Sequence, residues 1–205
     1  MRFDYKFPDL SNLKKVSVLF FAKHFFQGGG PKEYNAYALT MNFIRLVDLS
    51  VQEYELGRSS FQEFLNNREG IHIGSATASV GHFEVCLSAL KRSVNFLKAL
   101  RGNKNVQNGL KNLLPRGSLI LRGDAEKQVT RMRHAIEHLE EEIIKGQIQK
   151  GQALCVLATE EKLELGCHSI RYTDLAAWLT ELHTLSGKLP LYSESYPNDP
   201  ASAIG

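Results

Sequence analysis

The sequence predicts a mainly α fold: a four-helix-bundle-like, up-and-down helical domain with a small β-hairpin before the last helix. Three observations predict it. Several long segments each carry one apolar stripe at steps of three and four residues, the mark of a helix that buries a single face. Connections rich in Gly, Pro and polar residues separate them. One brief stretch, 153–172, changes to β-favouring residues around a polar turn. In a chain of 205 residues, 43% of them hydrophobic, such stripes are buried most simply by packing helix on helix.

Taken in order, residues 1–30 read as an irregular segment packing on the bundle, rich in aromatic residues (Phe20, Phe21, Phe25, Phe26) and stopped by Gly28, Gly29, Gly30 and Pro31. From 32 to 56 the residues Tyr37, Met41, Ile44, Val47 and Val51 mark an amphipathic helix closed by Gly57, after which Ser59 and Gln62 form a capping box for a short helix through Phe64. Val80, Phe83, Leu87, Leu90, Val94 and Leu97 alternate steps of three and four without error, which makes 77–100 a core helix. Residues 101–123 read as a connection with a short helical stretch near 106–114 and a stop at Pro115. Asp124 is a good N-cap for a third long helix with the stripe Val129, Met132, Ile136, Leu139 and Ile143, ending at Gly146. The hairpin pairs 153–158 with 163–172 across 159–162; Thr173 or Asp174 then caps a last helix on Leu175, Trp178, Leu182 and Leu185, terminated by Gly187. The bundle domain is thus 31–187, and 188–205 is an extended tail containing prolines.

Composition removes several function classes. The apolar run 16–21 is too short for a membrane span and is broken by Lys23, so no membrane partner and a cytoplasmic location are expected. Cys86, Cys155 and Cys167, three in number and irregularly spaced, read as reduced, buried small hydrophobes rather than a disulfide framework. No P-loop, GxSxG or dinucleotide fingerprint occurs, and no cofactor is expected. The net charge is only +3, but residues 91–133 hold eleven basic side chains against Asp124 and Glu126, a local +9, leaving −6 for the rest of the chain. That asymmetry is the footprint of a phosphate-rich ligand such as RNA or a nucleotide, with Lys104, Arg116, Arg122, Lys127 and Arg131 as nucleic-acid-binding candidates.

The chemistry concentrates in the run 131–138, where Arg131, Arg133, His134, Glu137 and His138 share one helix. At about 100° per residue, with Ile136 facing the core, both histidines lie about 160° away from it, open to solvent, ligand or a partner subunit. His134, Glu137 and His138 match HxxEH literally, but a catalytic zinc needs a third ligand, and the later candidates Glu160, Glu161, Glu164 and His168 fall in or near the hairpin, so no metal is expected. Arg133, His134 and His138 also have the spacing Arg, polar residue, three residues, His, which resembles the Rx4–6H signature of the HEPN superfamily of all-α nucleotide-binding domains. The resemblance implies a homodimeric, metal-independent endoribonuclease of the kind found in toxin–antitoxin and defence systems, with an antitoxin or neighbouring protein as partner. It casts Arg133 as the clamp on the scissile phosphate, His134 as the polar residue after it and His138 as general acid or base, in a cleft shared by two protomers. Many toxin members carry a tyrosine two residues after the histidine; Glu140 stands there in this chain. The alternative is a catalytically silent HEPN-like bundle that binds nucleotide, nucleic acid or a protein partner.

Overall fold

The longest stripes fold into the longest helices. The structure is a computed structural model and describes residues 6–66, 73–114, 117–146, 148, 150, 151 and 153–192. Among these residues the chain forms helices α1 (Val16–Gln27), α2 (Tyr34–Asn66), α3 (Ile73–Gly102), α4 (Asn108–Asn112), α5 (Ala125–Glu137), α6 (Leu139–Ile144) and α7 (Tyr172–Lys188). Strands β1 (Ala153–Ala158), β2 (Lys162–Gly166) and β3 (His168–Arg171) precede α7, so the fold is mainly α with a small antiparallel sheet before the last helix. No helix of the described residues is long and apolar enough to cross a membrane.

Helices α2 and α3 form an antiparallel hairpin against which α7 and α5 pack. Its register is pinned where Ser79 Oγ donates to the Gly57 carbonyl at 2.9 Å and where His82 Nδ1 meets Glu53 Oε2 at 2.7 Å. The expected break at Gly57 does not occur. A Cβ there would lie 3.1 Å from the ring of Phe83, so this glycine serves close helix packing, and Ser59 and Gln62 lie inside the continuous helix instead of capping a new one. The core stripe of α3 is as predicted, with Phe83, Leu87, Leu90, Val94 and Leu97 buried and Val80 packed against them.

Residues 16–27, read from sequence as irregular, are helical. Their N-terminus carries no cap of its own, since Lys15 makes no side-chain bond to it. The cap comes from α2: the buried carboxylate of Asp48 accepts hydrogen bonds from Val16 N at 3.1 Å and Ser17 N at 2.8 Å. Gly28, at φ 62°, ends α1 in the left-handed conformation, with its N–H bonded back to the carbonyl of His24.

Two further expectations change. The stretch expected as one long arm of a hairpin folds into two strands, because Gly166 at φ 56° allows a tight turn that pairs Leu165 with His168; Leu163, Leu165 and Ile170 then bury one side of a three-stranded meander in the order β1-β2-β3. The last helix starts at Tyr172 and continues through Gly187 to Lys188, leading into a 3-10 turn at Leu189–Leu191, with Asp174 holding Arg171 Nε at 2.8 Å. Of the cysteines only Cys86 is buried; Cys155 and Cys167 are exposed on the sheet. The tail beyond Tyr192, with Pro197 and Pro200, lies outside the described residues.

Candidate functional site

Helix α5 carries the residues singled out by the sequence. It buries Val129, Met132 and Ala135, whereas Ile136, expected at the centre of its stripe, is only half-buried against the core. The predicted continuous helix to Gly146 is interrupted at His138, whose backbone (φ −121°, ψ 22°) leaves the helical region. Beyond it, α6 contains no buried residue: Leu139 packs partly against the core, while Ile143 and Ile144 are exposed among the described residues.

The shift of the buried face by one residue leaves the histidines outward. Lys127, Arg131, His134 and His138 follow each other at intervals of four, three and four, and so form one row on the side of α5 away from the core. The first three are exposed and His138 is half-exposed. The imidazoles of His134 and His138 lie 4.3 Å apart between centroids, inclined at 45°. Arg133 projects from the other side of α5, about 100° around the helix from His134 and about 140° from His138. It is half-buried, with one guanidinium N–H bonded to Glu137 and its buried Nε without a protein partner among the described residues.

The acidic residues after the row enter its chemistry. Glu141 accepts from Lys145 at 3.0 Å and faces His138 Nδ1 at 3.3 Å. Hydrogen bonds from Lys145 and His138 hold its carboxyl below the usual glutamate range.

The basic segment converges at the start of α5. Two shallow depressions of about 340 and 410 Å³ meet at Glu126, one lined by Lys127, Thr130 and Arg131 and the other by Lys98, Arg101, Gly102 and Leu121. Glu126 is clamped there by Lys91 at 2.9 Å and Lys98 at 2.6 Å. Burial works against its charge, yet the hydrogen bonds from Lys98 and Lys91 prevail and keep its carboxyl below the ordinary value. Lys98, Arg101 and Lys91 were not singled out by spacing; their positions on α3, packed beside α5, bring them to the site.

The other candidates spread out. Arg122 is exposed and lays its guanidinium over Gly117, Lys104 is exposed on the loop after α3 and lines neither depression, and Arg116 lies outside the described residues. Glu160 and Glu161 lie in the turn between β1 and β2 and Glu164 and His168 on the strands, and no three His, Cys, Asp or Glu side chains among the described residues are grouped as a metal ion would need. Other histidines pin the fold: His183 Nε2 meets the Lys14 carbonyl at 2.7 Å and His24 Nδ1 meets that of Gly29 at 3.1 Å. No family model matches this chain, and neither a curated protein nor a solved structure matches it.

Proposed function

We propose that the protein binds RNA along the α3–α5 face and cleaves it without a metal ion, through Arg133 and His138 of a homodimer. The observation that carries this reading is the outward row Lys127, Arg131, His134 and His138, whose first two members line one depression that meets, at Glu126, the one lined by Lys98 and Arg101. Cations along such a row neutralise successive phosphates, and the imidazoles at its end carry nitrogens that can accept or donate a proton. His138 takes the proton of a ribose 2′-hydroxyl as that oxygen attacks the adjacent phosphorus, or returns a proton to the departing 5′-oxygen. Arg133 stabilises the charge that develops on the phosphate oxygens, for which it must exchange Glu137 for the phosphate. A two-fold axis near the end of α5 doubles the arginines and histidines at one place. An antitoxin or other neighbouring protein is the natural control of such an activity.

A second reading is favoured by one specific observation: Arg133 is already paired with Glu137 and His138 with Glu141, next to the acidic Glu140 and Glu142. Under it the bundle binds RNA, a nucleotide or a protein and does not cut. The deciding experiment is cleavage of end-labelled RNA in excess chelator. The nuclease reading expects His138→Ala to lower the rate at least about 10²-fold with little change in affinity. It expects Arg131→Ala to weaken binding and flatten its salt dependence by about one unit of slope. RNA bound but never cut, by a protein that light scattering finds monomeric, establishes the binding reading.

A further inference from the structure

Helix α1 presents an apolar face to solvent. At about 100° per residue, Val18, Leu19, Phe21, Ala22, Phe25 and Phe26 fall within an arc of about 160°, and Val16 and Phe20, on the opposite side, are the residues it buries. Val18 is 66% exposed, Phe25 76% and Phe26 87%, the last two being the largest side chains of the helix left uncovered. Large aromatic side chains grouped on an exposed helix face mark a docking surface. The helix is not loose, since the Asp48 carboxylate fixes its N-terminus and the Phe20 ring packs against Tyr37 at 5.6 Å between centroids.

Charge identifies the occupant. Residues 10–31 contain Lys14, Lys15 and Lys23 and no acidic residue. Lys14 and Lys15 are exposed immediately before the apolar face, and Lys23 stands at its edge. A second copy of the chain docked through this face would bring six lysines together with no carboxylate from either segment between them. An anionic lipid surface suits it instead: aromatic and aliphatic side chains enter the boundary between headgroups and acyl chains while lysines at the rim meet the phosphates.

We propose that α1 is an interfacial anchor that lays its Phe25/Phe26 face into anionic membranes. This goes beyond RNA binding and does not depend on it. The sequence expectation of no membrane partner rested on the lack of a spanning segment, and a helix lying in the interface needs none. Such attachment is reversible, because a 12-residue helix of little more than three turns inserts only one face.

The test uses the full chain with vesicles of phosphatidylcholine alone or with about one third phosphatidylserine, the anionic fraction being chosen to give the surface a clear negative potential. The wild type should sediment with the mixed vesicles at least tenfold better than with the neutral ones, and the advantage should shrink at high salt. Phe25→Ser combined with Phe26→Ser should abolish sedimentation while leaving the thermal midpoint nearly unchanged, as both rings are exposed. Phe26→Trp should show a blue-shifted emission on anionic vesicles against the constant background of buried Trp178, a readout that stands even if the double variant does not fold. A folded wild type that ignores the mixed vesicles overturns the proposal. So does a dimer that the double serine variant converts to monomer, which assigns the face to a second copy. RNA cleavage or binding is unaffected by either outcome, so failure here is distinct from failure of the nuclease reading.

Discussion

Replacing Asp48 tests whether the first helix is held by a cap supplied from another part of the chain. Asp48→Ala removes the acceptor of two amides, Val16 N at 3.1 Å and Ser17 N at 2.8 Å, from a position only 8% exposed. Loss of a helix cap costs about 0.5–2 kcal/mol, and a buried amide left unsatisfied costs about 1–3 kcal/mol. The pocket beside it, about 420 Å³ and lined by Asp48, Lys15, Glu55 and Arg58, admits water to the freed amides and keeps the loss toward the lower part of that span. The expected cost is about 2 kcal/mol, which for a chain of this size lowers the thermal midpoint by roughly 4–8 °C. Asp48→Asn keeps one carbonyl acceptor and should cost about half as much. Circular dichroism gives the midpoint, and amide exchange should show residues 16–27 losing protection before α2 and α3 do. A midpoint within about 1 °C of the wild type, with α1 amides still protected, refutes the argument that this carboxylate holds the helix.

Two glycines within helices should respond with opposite signs to the same change. Gly81→Ala, where a Cβ meets nothing within 4 Å, should stabilise by about 0.5–1 kcal/mol, whereas Gly57→Ala should destabilise, because the Phe83 ring 3.1 Å away is fixed against Phe7, Tyr54 and Tyr172; chemical denaturation of both variants reads the difference. Ile136→Ala should cost about 1–2 kcal/mol and Met132→Ala the fuller 2–5 kcal/mol of a buried large-to-small change, since only the second side chain is fully enclosed. Glu126, whose carboxyl is lowered in the fold, contributes stability above the ordinary glutamate value of about 4.3 and loses it as pH falls through its lower folded value, so acid titration should destabilise the wild type more than Glu126→Gln below about pH 4. The same Glu126→Gln change should also tighten RNA binding in filter assays by freeing Lys91 and Lys98, and weaker binding would show that the clamp is needed to hold the groove.

Periodicity made the core legible. Apolar residues at steps of three and four can be satisfied only on one helix face, so the buried positions of α3 and α7 and the outward row of histidines on α5 followed from spacing alone. The features that escaped were those whose cause lies far along the chain. Helix α1 gave no stripe because aromatic pairs place apolar groups on both of its sides, and its cap is a carboxylate more than thirty residues later. Gly57 looked like a stop because its glycine signature is shared by helix ends and by close helix crossings, and only Phe83 on the facing helix decides between them. The run 131–146 keeps its apolar period past His138, yet among the described residues Leu139 is only partly buried and Ile143 is exposed, and the helix is interrupted where that burial fades. The charge excess of 91–133 was visible as composition, but the packing of α3 beside α5 chose which cations meet: Lys98 and Arg101 join Lys127 and Arg131 around one glutamate, while Lys104 does not. Sequence determines which residues seek burial and which carry charge; the tertiary structure decides which of them find partners, because burial and ion pairing depend on surfaces that other segments supply.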